Sequence, residues 1–238
     1  MSRGVVVYVV RHGHIPSHES DVALTAEGWR VAEQVGEQLA QVVEPGEEIR
    51  FLHGPARRAR ETAEGMYRGV KRAVAGRGGD VSVVPPALHP DLCNFRMWVD
   101  GRFQEAMRLF HDAVRAAYHE DPSPENAARL AFHDAFWSAS DPVGYWLTTP
   151  TPYMESPEAV AARVERVVRQ QLERVPALPV RQHVICASHS APMRAFLRAV
   201  LGQDPGEPNF CEYFVVEEKD GKTWVRYRGQ VAEWACSV

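Results

Sequence analysis

Cysteine is scarce in this 238-residue chain: Cys93, Cys186, Cys211 and Cys236 stand far apart and form no Cys-x-x-Cys pair. That spacing argues against a disulfide framework and against a zinc site. Cys186 sits inside an apolar run and reads as a small core residue. Lysine is scarce as well; the basic residues are nearly all arginine, for which genome base composition is explanation enough. No apolar run approaches the roughly 20 residues that a membrane-spanning helix needs. Met1-Ser2-Arg3-Gly4 leads straight into a short apolar segment, unlike a signal peptide. A formal net charge of −4 gives no reason to expect nucleic acid or an anionic membrane as partner. Repeats and low-complexity tails are missing too. These absences lead to an expectation of a cytoplasmic globular protein, long enough for one elaborated α/β domain over residues 1–238.

What is present is an alternation of strand-like and helix-like segments. Val5–Val10 is a β-branched run and reads as a buried strand. Thr25 has the character of an N-cap for a helix reaching about Val43. Ile49–Leu52 is a second strand, and Pro55 suits the first turn of a helix running to about Ala75. After a turn at Gly76–Asp80 comes a third strand, Val81–Val84, which Pro85-Pro86 is expected to end. Ser156-Pro157-Glu158 starts a helix to about Val175. His183–Ala187 is a fourth strand, followed by a helix that Pro192 opens. Phe210–Glu217 and Lys222–Arg228 fit a terminal hairpin around Asp220-Gly221. The alternation predicts an α/β three-layer sandwich: a mostly parallel central sheet with helices on both faces.

Residues from about 87 to 155 break the pattern and read as a helical insertion or cap. They hold two or three helix candidates separated by Asp121-Pro122-Ser123-Pro124 and Asp141-Pro142-Val143-Gly144. This stretch carries 11 of the chain's 22 aromatic residues, among them Phe95, Phe103, Phe110, Phe136, Trp137 and Trp146. So dense a set suits a core for the cap, a wall for an organic ligand or a subunit interface.

Chemistry gathers at the strand ends. Arg11-His12-Gly13 follows the first strand, Gly54 to Ala63 the second, and Ser188-His189-Ser190 the fourth. In α/β sheets, ligands bind at the carboxyl ends of parallel strands. Arginine offers a planar fork of donors to phosphate oxygens, and a neutral imidazole can attack phosphorus. Helix N-termini beside such residues favour anions further. No set of the chain's histidines has metal-ligand spacing, so neither metal nor cofactor is expected.

In these segments the chain resembles the histidine phosphatase superfamily, also called phosphoglycerate mutase-like. The resemblance covers nearly the whole chain. It rests on Arg11-His12-Gly13, Ala23-Leu24-Thr25-Ala26-Glu27-Gly28, Pro55 to Ala63, Glu155-Ser156 and Ser188-His189, in the family's order. It implies that His12 is the nucleophile that becomes phosphohistidine, that Arg11 and Arg58 hold the phosphoryl oxygens, and that His189 donates to one of them. Arg57 is one residue off the family spacing and is expected to face another way. Gly13, His14 and Ser190 are expected at the substrate. The family takes its proton donor from a Glu or Asp after the third strand. This chain departs from that pattern: Pro90 stands at the expected position, so Asp91 is the candidate, with Asp100 and Glu155 as alternatives. The resemblance implies a phosphatase acting on a small-molecule phosphate monoester. A phosphomutase and a catalytically lapsed phospholigand-binding module are the other readings. A homodimer is the default assembly.

Overall fold

The computed structural model describes residues 4–75, 77, 80–99, 102–105, 109–174 and 180–235. Asp100, Cys236 and most of the Gly76–Asp80 turn lie outside them, as do the side chains of Phe103 and Phe110. Nine strands and seven α-helices appear among the described residues, in the order β1 (Val5–Arg11), α1 (Ala26–Ala40), β2 (Glu48–His53), α2 (Arg57–Ala75), β3 (Ser82–Leu88), β4 (Arg96–Val99), β5 (Arg102–Glu105), α3 (Leu109–Glu120), α4 (Pro124–Ser138), α5 (Pro142–Thr148), α6 (Pro157–Leu172), β6 (Gln182–Ser188), α7 (Ser190–Leu201), β7 (Tyr213–Lys219), β8 (Lys222–Tyr227) and β9 (Gln230–Glu233). A 3₁₀ turn, Pro90–Leu92, lies between β3 and β4.

Seven strands form one sheet in the order β3-β2-β6-β1-β7-β8-β9. β3, β2, β6 and β1 are parallel, and the last three strands are antiparallel. β1 is buried along its whole length because both faces are covered. Its alternate residues feed two cores. Val5, Val7 and Val9 pack with Val164 and Val168 of α6 and Phe196 of α7. Val6, Tyr8 and Val10 pack with Leu39 of α1 and Met66 of α2. This is the period-2 geometry of a strand between two helical layers. The expected sandwich is therefore present, and the carboxyl ends of β2, β6 and β1 lie side by side.

The structure differs from the sequence expectation in three places. β3 does not stop at Pro85-Pro86 but continues to Leu88. It is an edge strand, where proline costs no ladder bond on the open side, and its pairing with β2 shifts register between Arg50 and Leu52 to absorb the extra residue. The insertion holds a short antiparallel hairpin, β4–β5, that its composition does not announce. The terminal hairpin gains a third strand, β9. This stretch shares a third core with Val160 of α6 and Ala195 of α7, in which Phe95 stacks on Trp146 at 4.8 Å and meets Phe136 edge-on at 5.9 Å. Among the described residues no helix is long and apolar enough to cross a membrane.

Candidate active site

Arg11 is the last residue of β1, and His12 follows it into a turn between buried backbone segments. The His12 amide donates to the Ser188 carbonyl at 2.9 Å, which ties the turn to the end of β6. Gly13 donates its amide to Thr62 Oγ1 at 2.8 Å, and a side chain at Gly13 would press on the Gly28 carbonyl at 3.0 Å. Thr62 in turn donates to the Arg58 carbonyl at 2.6 Å, so the first turn of α2 is latched onto the His12 turn. His189 occupies the N-cap of α7 without a side-chain cap bond, leaving its ring to face His12. The two imidazoles stand 5.3 Å apart, tilted by 63°.

His12 Nδ1 lies 2.9 Å from the Gly13 carbonyl oxygen. A carbonyl only accepts, so Nδ1 carries the proton and Nε2 the lone pair. Burial, reinforced by the Arg58 and Arg11 guanidinium groups, holds His12 well below the usual histidine range. It is a neutral imidazole at pH 7. Burial holds His189 low as well, with Arg58 and His12 adding to it. Both His189 nitrogens, and the Nε atoms of Arg11 and Arg58, are buried without a hydrogen-bond partner. Buried unpaired donors around one nucleophilic nitrogen are the arrangement an incoming anion would complete.

Arg11, His12, Arg58, His189 and Ser190 line one cavity of about 650 Å³. The structure thus brings together the residues expected around a phosphoryl group. Gly13 supports the turn. His14 is exposed, bonds Thr25 Oγ1 at 2.9 Å and is not a lining residue. Arg57 points away and pairs with Glu61 at 2.7 Å.

The proton-donor candidates are placed elsewhere. Asp91 rides on the 3₁₀ turn, which directs it to Arg166 at 3.6 Å, outside the cavity lining. Glu155 is locked between Arg96 at 3.0 Å and Arg163 at 2.9 Å. Burial alone would raise its carboxyl, but the two arginines outweigh that and hold it below the ordinary range. A carboxyl that stands against His189, behind the cavity lining, is Glu105, at the end of β5. Its Oε1 accepts from the Asn94 amide at 2.8 Å and stands 3.8 Å from His189 Nε2. Nothing local in the sequence marks Glu105, because the hairpin that delivers it is only four residues per strand.

Three further lining residues carry no motif: His18, Glu207 and Trp137. His18 lies 6.3 Å from His12, ring to ring, and is held below its usual range by burial and by Arg58 and Arg11. Glu207 pairs with Arg11 at 2.9 Å, and Arg11 also donates to the Pro208 carbonyl and lies over the Phe210 ring.

The profile of the histidine phosphatase superfamily (branch 1) matches residues 7–135 and 131–229. No curated protein matches the sequence. Among solved structures, YhfR of Bacillus stearothermophilus is 20% identical, with a TM-score of 0.56 over 96% of this chain and 98% of that one. A mycobacterial glucosyl-3-phosphoglycerate phosphatase is 18% identical, with a TM-score of 0.52 over 90% and 91%. A phosphoglycerate mutase from Bacillus anthracis str. Sterne is 14% identical, with a TM-score of 0.56 over 96% and 94%. At such identities the neighbours share the fold and do not specify the reaction. The profile covers nearly the whole chain, however, and its span includes His12, His189, Arg11 and Arg58 of the cavity: the protein belongs to branch 1 of the histidine phosphatase superfamily.

Proposed function

We propose that this protein is a phosphatase that hydrolyses a small-molecule phosphate monoester through a phosphohistidine on His12. The observation that carries the reading is the fixed tautomer: Nδ1 bonded to the Gly13 carbonyl leaves Nε2 as the nucleophile, among Arg11, Arg58 and His189. In the first step Nε2 attacks phosphorus in line, the N–P bond forms and the ester P–O bond breaks. The two guanidinium groups and a His189 N–H take up charge on the equatorial oxygens. The leaving oxygen needs a proton, and in this reading Glu105 gives it. In the second step Glu105, now a carboxylate, accepts a proton from water. The resulting hydroxide attacks phosphorus, the N–P bond breaks, and inorganic phosphate and neutral His12 are restored.

Rapid quenching into alkali during turnover of a ³²P-labelled ester should trap label on His12. His12→Ala should carry none and should release phosphate at least about a thousandfold more slowly. Label that accumulates without phosphate release, or that returns to the product as an isomer, would mark a mutase. A wild-type protein that never becomes labelled would mark a binding module. For Glu105→Gln the expected loss is about 10²–10⁴-fold in kcat on an alkyl phosphate. The loss should be much smaller on p-nitrophenyl phosphate, whose leaving group departs without a proton. Equal losses on both would remove Glu105 from the donor role.

A further inference from the structure

The cavity is far larger than a phosphoryl group needs, and its remaining walls have a distinct chemistry. They include Phe95, Phe136 and Trp137. Trp137 meets Phe136 edge-on at 4.8 Å, and Phe95 is backed by Trp146, so the apolar wall is packed from behind. The same lining holds carboxylates. Glu207 places Oε1 2.9 Å from Arg11, and Oε2 2.5 Å from Ser190 Oγ and 3.1 Å from Arg194. Arg194 is only 1% exposed and also holds Asp141 at 2.7 Å and Asp204 at 2.5 Å. Two guanidinium groups therefore face three carboxylates, and this rim is net negative. It is also fixed, because Asp141 caps α5 by accepting from the Gly144 amide at 2.9 Å. Among the described residues, the lining includes no lysine, and no arginine other than the two at the phosphate end.

From this juxtaposition we infer that the site selects phosphate esters whose leaving group is flat and apolar and carries no negative charge. Glu207 and Asp141 reject a second phosphate or a carboxylate, while a neutral or cationic group lies against Trp137 and Phe136. An aromatic wall gains from apolar area, and from a ligand cation where there is one. An anion beside a fixed carboxylate in a partly buried cleft meets a repulsion worth at least a factor of about ten. The inference rests on the phosphatase reading above. It also disfavours mutase chemistry, which must hold a doubly phosphorylated species in the same cleft.

Non-hydrolysable phosphonates test the selectivity without turnover. The set is methylphosphonate and benzylphosphonates with a 4-ethyl, a 4-(2-aminoethyl) or a 4-(2-carboxyethyl) substituent, measured by calorimetry on the full chain. The ethyl and aminoethyl compounds should bind at least about tenfold more tightly than both the methyl and the carboxyethyl compounds. Glu207→Gln should recover most of the carboxyethyl loss. Trp137→Ala should erase the advantage of the aryl compounds over methylphosphonate. Carboxyethyl binding as tight as ethyl, or methyl binding as tight as either, would overturn the inference with the wild type alone. Phosphate release from the matching esters is followed in parallel. If the binding order holds and no phosphate is released, the hydrolase reading falls and the selectivity stands.

Discussion

Arg163 shows how one buried side chain sets the geometry of the site from behind. It is 3% exposed and reaches four groups on a single stretch of chain. It donates to the carbonyls of Asp91 at 2.9 Å, Cys93 at 2.8 Å and Asn94 at 3.1 Å, and to Cys93 Sγ at 3.0 Å. The same guanidinium meets Glu155 at 2.9 Å. Residues 91–94 are thus pinned to α6, and the Asn94 amide held there is the one that orients Glu105. Arg163→Met should cost about 3–5 kcal/mol of stability, because it strips three carbonyls and breaks a buried ion pair, leaving the Glu155 carboxylate to Arg96. Adding Glu155→Gln should return part of that loss in urea unfolding. If the double variant is as unstable as the sum of the two singles, the ion pair is not what stabilises the loop. Arg163→Lys keeps the charge but not the fork. It should therefore lower kcat on alkyl phosphates more than on p-nitrophenyl phosphate, as expected of a residue that acts by positioning Glu105.

At the scale of elements, α1 and α2 lie unusually close, and glycine makes the approach possible. A Cβ at Gly36 would stand 2.2 Å from the Met66 carbonyl oxygen, and one at Gly69 would stand 2.0 Å from that of Glu33. Intrinsic helix propensity alone predicts that Gly69→Ala stabilises by about 1 kcal/mol. The backbone contact predicts the opposite: a net loss of about 1–3 kcal/mol as the helices separate. The sign of the change in urea midpoint decides between the two. Parting these helices would also disturb the latch by which Thr62 of α2 holds the Gly13 amide. The elements differ in how far they can be read in advance. β1 and β6 announce themselves as apolar runs that end on a polar motif, and α2 as a long helix that begins on one, and Arg11, His12, Arg58 and His189 are legible for that reason. β4 and β5 have four residues each, too few for a pattern, so Glu105 is hidden with them. His18 and Glu207 lie in loops, where proximity to His12 depends on tertiary packing and leaves no local trace. Asp91 is drawn off because the 3₁₀ turn directs its side chain towards α6.

At the scale of the whole molecule, the fold buries histidines in both the sheet and the cap. His12, His133, His183 and His189 are each no more than 3% exposed. All four are held below their usual range by burial, His133 down to about 4. At the site this keeps His12 and His189 neutral, as the proposed roles of nucleophile and donor require. For stability it has a cost with a definite sign. A histidine whose folded value is depressed stays neutral in the native state while the unfolded chain takes up a proton near pH 6.5. The unfolded state then binds more protons, so stability falls as pH falls, by up to ~1.4 kcal/mol per pH unit for each such group. The loss should begin near pH 6.5. The carboxylates held low by arginine, such as Glu155 and Asp141, add their own loss only below about pH 4.5. Urea unfolding of the ligand-free protein should therefore give a stability that is level between pH 7 and 8 and declines between pH 6.5 and 4.5. His133 lies in the cap, away from the cavity lining, and both its ring nitrogens are buried without a partner. His133→Leu should flatten the decline by close to one proton and leave phosphate release at pH 7 unchanged. A wild-type stability that stays constant from pH 7 to 5 would show that these histidines are hydrated enough in solution to titrate as they do in the unfolded chain.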